Sequence, residues 1–244
     1  MRIDKFIANS TPNGRKEVKQ YIKKGQVTVN GKTVTDPGFH VDENIDEIIV
    51  CGEKITYSRF VYLMLNKPDG YISATFDKVH PVVTELAGEE YSHYDLFPVG
   101  RLDIDTHGLL LLTNDGELAH RLLSPKSHVP KTYYVKSAKP TGKTETEMFE
   151  SGIKLEEDFV TMPAIHKIIS EDKTESLLTI YEGKFHQVKR MFEAAGNEVV
   201  YLKRIAMGPL ELDKALPEGK CRPLTEEEIE KLKKQAVPEP TSQA

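Results

Sequence analysis

The sequence predicts an α+β protein in two parts: a small N-terminal module of two helices and a hairpin, then a larger domain on a mixed, mainly antiparallel sheet. Three observations carry this reading. Short apolar runs of strand length recur between Phe60 and Ile205, without the regular helix alternation of a doubly wound parallel sheet. Asn30-Gly31, flanked by alternating valines in VTVNGKTV, is the strongest short-range hairpin signal. The charge also reverses sign: residues 1–34 carry eight Lys or Arg against two acids (+6), and residues 35–60 carry six acids against two cations (−4).

At 244 residues the chain accommodates a small domain plus a larger one. The texture divides it into 1–59, 60–236 and a Pro- and polar-rich tail over 237–244, VPEPTSQA, expected to fray. A content of 39% hydrophobic and 29% charged residues is ordinary for a soluble globular protein. No apolar run approaches the roughly 20 residues of a membrane helix. The opening MRIDKFIANS lacks the apolar core of a signal peptide, so no membrane partner is expected. Cys51 and Cys221 make no metal pattern and at most one bridge, which suits a reduced, cytoplasmic setting.

Ile3, Phe6 and Ile7 share one helical face in residues 3–8. Thr11-Pro12-Asn13-Gly14 reads as a turn, and a second helix starts behind Gly14 with Glu17 three residues on. Val18 and Ile22 face a core, while Arg15, Lys19 and Lys23 repeat every four residues on another face. Like charges at that spacing destabilise a helix by roughly a few tenths of a kcal/mol per pair, which an anionic partner relieves. Arg2, Lys5, Arg15, Lys16, Lys19, Lys23, Lys24 and Lys32 crowd this module, so a polyanion is the expected partner despite a net charge of −5. A solvated basic helix face is the plain alternative.

In the larger domain, Val61 to Leu65 is a strand-like run closed by Asn66-Lys67-Pro68-Asp69-Gly70 as a turn. Within FPVGRLDIDTHGLLLLTNDGELAHRLLSP, Gly100-Arg101-Leu102-Asp103 holds a carboxylate on a polar loop. Leu109 to Leu112 then read as a core strand closing in a turn at Asn114-Asp115-Gly116. A carboxylate so placed suits a nucleophile or a general base. Tyr133 to Val135, Leu177 to Tyr181 and Glu198 to Ile205 are further strands.

In EGKFHQVKRMFEAAGN, residues 182–197, Val188, Met191, Phe192 and Ala195 recur at helical spacing, and Gly196-Asn197 ends the helix. Its start carries Lys184, His186, Lys189 and Arg190, cations that oppose the helix dipole by roughly 0.3–1 kcal/mol each. A phosphate or a catalytic carboxylate in front of them explains the placement; a solvated face is the alternative. Thr225 with Glu228 forms a capping box for a last helix.

Together these segments resemble the bacterial ribosomal RNA pseudouridine synthases of the RsuA family. The resemblance spans nearly all of residues 1–235. It rests on NKPDG at 66–70, GRLDIDTHGLLLLTNDG at 100–116, KTYYV at 131–135 and GKFHQVKRM at 183–191. It rests also on the N-terminal module, whose basic helix and KKGQVTVNGK hairpin resemble the S-four-type RNA-binding module. The resemblance implies a central-sheet catalytic domain that isomerises a uridine of rRNA to pseudouridine, with no metal, no cofactor and an essential aspartate at Asp103. Tyr133 falls on the aromatic that stacks on the target base, and Lys189 on the basic residue that pairs with the aspartate. Arg101 is placed to brace the space left when the base leaves its stack.

KFHQVKRMF resembles the small-subunit branch, which implies 16S rRNA, with uridine 516 as the family-typical target, rather than 23S rRNA. Lys184, His186 and Arg190 then join the N-terminal cations as RNA contacts, and a monomer is expected. Free rRNA and an assembling subunit both remain open as substrates. So do attack at carbon six of the base and attack at the anomeric carbon.

Other readings stand beside this one. Asp103-Ile104-Asp105-Thr106 has the DxDxT shape of haloacid-dehalogenase-type phosphatases, although Pro98 and Gly100 break the apolar strand that fold needs before its first aspartate. Asp103, Asp105 and His107 as metal ligands lack a completing group nearby. A non-catalytic rRNA-binding assembly factor would keep the same fold. Neutralising Arg15, Lys16 and Lys19 together is predicted to weaken RNA binding and flatten its salt dependence while leaving the chemistry intact. Binding equal to wild type at low and moderate salt would remove these residues from the RNA surface.

Overall fold

The computed structural model describes residues 1–43, 45–55, 58–156 and 159–235, so the tail expected to fray lies outside the described residues. The chain forms two compact units, Met1–Val61 with Ala87–Leu96, and Tyr62–Leu86 with Phe97–Ala244. Residues 87–96, which the sequence texture assigns to the larger domain, group with the first unit.

The first unit begins with α1 (Ile3–Ser10) and α2 (Arg15–Lys23). The strands β1 (Val27–Val29), β2 (Lys32–Thr33), β3 (Ile48–Val50) and β4 (Glu53–Ile55) follow, in the sheet order β2-β1-β3-β4. Ile3, Phe6 and Ile7 from α1, Val18 and Ile22 from α2, and Val27, Val29, Ile48 and Val50 from the sheet share one core. At the hairpin Asn30 and Gly31 have φ of 49° and 76°, as a type I′ turn requires. The acidic stretch after residue 35 is thus no separate body; β3 and β4 complete the basic module's own sheet. Arg15, Lys16, Lys19 and Lys23 stand exposed. Arg2 is tied to Asp4 by two hydrogen bonds of 3.0 and 2.9 Å.

The second unit runs β5 (Tyr62–Lys67), β6 (Phe97–Pro98), β7 (His107–Thr113), α3 (Gly116–Leu123), β8 (Lys131–Ser137) and α4 (Lys143–Ser151). Then come β9 (Lys154–Glu156), β10 (Phe159–Val160), β11 (Ile165–Ile168), β12 (Glu175–Ile180) and α5 (Gln187–Ala194). Last are β13 (Val199–Met207), β14 (Leu210–Glu211), β15 (Cys221–Pro223) and α6 (Glu226–Gln235). The main sheet has the order β11-β12-β8-β13-β7-β5-β15, with β6 paired to β7 and β14 to β13. Its pairs are antiparallel except β13 with β7. The mixed, mainly antiparallel sheet is therefore the one the sequence predicts. Leu63 to Leu65 and Leu109 to Leu112 lie in adjacent strands and are buried on both faces, which is why they form unbroken apolar runs.

Two turns expected from the sequence are differently built. β5 continues through Asn66 and Lys67, both buried, so the turn starts only at Pro68. Asn114-Asp115-Gly116 ends β7 as expected but leads straight into a helix: Asp115 caps α3, with Oδ1 accepting from the Leu118 N–H at 3.0 Å. Its Oδ2 accepts from the Tyr62 hydroxyl at 2.7 Å. Burial, with that carboxylate, raises the Tyr62 phenol well above its ordinary value. The expected capping box does form: Thr225 N–H donates to Glu228 Oε2 at 2.8 Å, and Glu228 N–H to Thr225 Oγ1 at 3.2 Å. Cys51 and Cys221 are not joined in a disulfide. Among the described residues, no helix is long and apolar enough to cross a membrane.

His166 on β11 is buried, with ring centroids 5.2 Å from Phe149 and 6.2 Å from Phe192, and Nδ1 lies 2.8 Å from Thr146 Oγ1. Burial holds its pKa below the ordinary value. In the unfolded chain an imidazole charges near about 6.5. Its contribution to stability is therefore whole above about 6.5 and is lost as pH falls through the lower folded-state value. His166→Phe is expected to flatten the acid side of the urea midpoint plotted against pH. A variant profile parallel to wild type would show that another group titrates there.

Candidate active site

The site is built on the loop between β6 and β7. Thr106 N–H donates to the Asp103 carbonyl at 3.0 Å, which turns the chain just before β7. Lys67, the fully buried last residue of β5, holds this turn. Its Nζ donates to the carbonyls of Pro68, Ile104 and Thr106, each at 2.9 Å. An ammonium has three protons, and three carbonyls satisfy them all. Burial lowers its pKa to about 8, against the opposing pull of Asp69, Asp105 and Asp103. Ser73 braces the other end: its Oγ donates to the Leu102 carbonyl at 2.9 Å and accepts from the Leu102 N–H at 3.0 Å. At Gly108 a Cβ would lie 2.2 Å from the Arg204 carbonyl, so only glycine lets β7 pass this close to β13.

The start of α5 faces the loop. His186 precedes it in a left-handed conformation, φ 50°. Buried Gln187 locks the approach, its Oε1 accepting from Lys184 N–H at 3.0 Å and its Nε2 donating to Glu182 Oε1 at 2.9 Å. Lys189 Nζ then lies 3.5 Å from Asp103 Oδ2 and 2.6 Å from Asp105 Oδ1, and His186 Nε2 lies 3.6 Å from Asp103 Oδ1. The shortest contact of Lys189 is thus with Asp105, while Asp103 sits at ion-pair distance. Burial alone would raise the Asp105 pKa; the hydrogen bond and charge of Lys189 outweigh it and hold the group below its ordinary value.

Asp103, Arg101, Tyr133, Lys184 and His186 line one pocket, with Ile180, Val188 and Leu202 as its apolar part. Its open volume is about 70 Å³, where a single water needs about 10–15 Å³, so it is on the scale of one small ring. Tyr133 is buried on β8 in register with Arg204 of β13. Arg204 is itself buried; its Nε donates to the Leu109 carbonyl at 2.8 Å, and its Nη2 finds no hydrogen-bond partner among the described residues. A larger hollow of about 600 Å³ is lined by Thr132, Leu177 and Lys203. These alternate with Tyr133, Leu178 and Arg204 along their strands, so that hollow belongs to the other face of the sheet and holds none of the Asp103 cluster.

Not every residue singled out in the sequence reaches this pocket. Arg190 turns to β9, where Nη2 bonds Glu156 Oε1 at 2.7 Å and the Leu155 carbonyl at 3.2 Å. His107 turns to Glu218, with Nδ1 3.4 Å from Oε1. Among the described residues no three His, Cys, Asp or Glu side chains are grouped to hold a metal ion. Arg2, Lys5, Arg15, Lys16, Lys19, Lys23 and Lys24 belong to the first unit. Lys67 and Gln187 are residues the sequence left unassigned, and Asp105 entered only in the rival phosphatase and metal readings; for Lys67 the only local signal is a lysine closing an apolar run before proline.

A carboxylate flanked by cations, at the mouth of a ring-sized pocket with an aromatic wall, suits chemistry on one flat base drawn out of a nucleic acid. Residues 61–194 match the RNA pseudouridylate synthase family and residues 1–44 the S4 domain; the chain belongs to that synthase family. It is 50% identical to the RNA pseudouridine synthase YtzG of Bacillus subtilis, itself described as uncharacterized, over 95% of this chain and 98% of that protein. It is 42% identical to ribosomal small subunit pseudouridine synthase A of Escherichia coli, over 94% and 98%. A crystal structure of pseudouridylate synthase aligns with a TM-score of 0.67 at 40% identity, over 95% of this chain and 99% of that one.

Above about pH 8 the Lys67 amine keeps two protons for three carbonyls, so the Asp103 loop loosens. At this group the stability trend has the opposite sign. The folded value lies below the roughly 10.4 of a free lysine, so raising pH between the two favours the fold. Activity is expected to fall with a midpoint near pH 8 in wild type and in Lys131→Met, since Lys131 is also lowered to about 8 by burial. In Lys67→Met that alkaline limb is expected to vanish and kcat to drop on the order of 10–100-fold. A limb that persists in Lys67→Met would assign it to another group.

Proposed function

We propose that the protein isomerises a uridine of 16S rRNA to pseudouridine, at the family-typical uridine 516, with Asp103 as nucleophile. The observation that carries this reading is Asp103 Oδ2 at 3.5 Å from Lys189 Nζ, at a ring-sized pocket walled by Tyr133. The small-subunit name of the 42% identical Escherichia coli protein supports 16S rRNA as the substrate.

The reaction breaks the bond from the anomeric carbon to nitrogen one, turns the uracil, and joins the anomeric carbon to carbon five. Carbon five gives up its proton and nitrogen one takes one, so atoms and electrons balance within the nucleoside. Asp103 attacks either the anomeric carbon or carbon six. At the anomeric carbon it expels nitrogen one and is later displaced by carbon five; at carbon six it adds across the carbon five–carbon six double bond and leaves again by elimination. Either way its carboxylate is regenerated, and Lys189 orients it. Tyr133 stacks on the uracil. Arg101, exposed at the rim, braces the vacated stack. The exposed cations of α2 and Lys184 bind phosphates. Arg190, held by Glu156, has no part in this reading.

The test is pseudouridine formation in 16S rRNA, 23S rRNA and small-subunit assembly intermediates, without added metal, by wild type and Asp103→Ala. One modified uridine in 16S rRNA, absent with the variant, is the expected result. A site in 23S rRNA would keep the chemistry and overturn the substrate. RNA binding with no pseudouridine in any substrate would favour a non-catalytic assembly factor.

A further inference from the structure

We infer that Phe185, stacked on His186, forms a second base subsite: a platform for an unstacked nucleobase beside the target uridine. The inference rests on the proposed action on RNA.

An exposed phenylalanine ring contributes little to folding, yet Phe185 is 69% exposed beside a pocket edged by Arg101, Lys184 and His186. The ring is held in place. Its centroid lies 3.8 Å from that of the His186 imidazole, with 18° between the planes. Neighbouring side chains of an extended segment point to opposite sides. The left-handed backbone of His186, φ 50°, is uncommon for a residue with a side chain, and with it the two rings share one side. Gln187, buried and bonded to the Lys184 N–H and to Glu182, fixes this turn. The same imidazole places Nε2 3.6 Å from Asp103 Oδ1, so the platform is continuous with the nucleophile's pocket.

The chemistry of this surface selects a nucleobase as occupant. It is a pair of parallel flat rings rather than a broad apolar patch, and Lys184 and Arg101 stand beside it to meet phosphates. Extruding a uridine removes a stacking partner from each neighbouring base. Phe185 offers one of them a replacement, and aromatic stacking is how unpaired RNA bases are commonly held.

The test is binding of 16S rRNA on the Asp103→Ala background, where turnover plays no part, with Phe185 kept or changed to Ala, Leu or Trp, across a salt series. Phe185→Ala and Phe185→Leu are expected to lose on the order of tenfold in affinity, and Phe185→Trp to stay within about twofold, because stacking needs a flat ring. The slope of log affinity against log salt is expected to stay unchanged, since no phosphate contact is removed. Full affinity in Phe185→Ala or in Phe185→Leu overturns the platform. Pseudouridine formation by the protein with Asp103 intact is scored separately. Turnover combined with unchanged Phe185→Ala binding removes the platform and leaves the isomerase. Weakened binding in a protein without turnover keeps the platform and removes the isomerase.

Discussion

The site depends on one buried ammonium. The segment carrying Asp103 has no ladder of its own there, so its carbonyls need donors from elsewhere. Lys67 supplies them from the end of β5, the strand whose six residues are all buried. A lysine suits this place better than an arginine, because a compact point donor can sit among three converging carbonyls where a planar fork cannot. Burying that charge is tolerable only because every proton is used. The rigidity of the sheet thereby passes into an irregular loop, and Ser73 repeats the device at Leu102.

The second half of the site puts cations where a helix dipole disfavours them. Two carboxylates in front of α5 offset this, and they divide the work. Lys189 takes its short contact from Asp105 and its longer one from Asp103. A nucleophile must change its bonding during reaction, so a cation anchored on it alone would lose its anchor at that moment. In the proposed reaction, with Asp105 as the anchor, Lys189 stays in place while Asp103 attacks. The left-handed turn at His186 and the buried Gln187 amide make this geometry a property of the chain rather than of the substrate.

How much was legible in the sequence follows from the range of each interaction. The type I′ turn at Asn30-Gly31, the helix faces of Ile3, Phe6, Val18 and Ile22, and the run Leu109 to Leu112 all rest on local backbone preference and periodicity. The misread turns share one cause: Asn, Asp, Gly and Pro serve turns, helix caps and strand ends alike. At Asp115 the cap is completed by Tyr62, 53 residues away. At Lys67 the role is set by carbonyls 37 and 39 residues away. The cations of GKFHQVKRM divide for the same reason. Lys189 and His186 meet the Asp103 loop, while Arg190 meets Glu156 on a strand that nothing in the motif announces.

Net charge is a poor guide to partner here, and the reason is geometric. Fields between exposed charges fade over roughly 8–10 Å at moderate salt, so a ligand senses the surface it touches rather than the sum over the chain. The acids that make the total −5 are partly engaged by other groups of the chain. Asp46 accepts from Asn30 at the hairpin, Glu47 pairs with Lys54, Asp213 and Glu228 pair with Arg222, and Asp115 caps α3. The cations of α2 stay exposed on one helix face instead. In the proposed function, affinity for a polyanion and chemistry on a base are thus built from separate residues, the first from exposed, salt-sensitive charges and the second from the Lys67-held loop. That separation lets an acidic protein act on RNA.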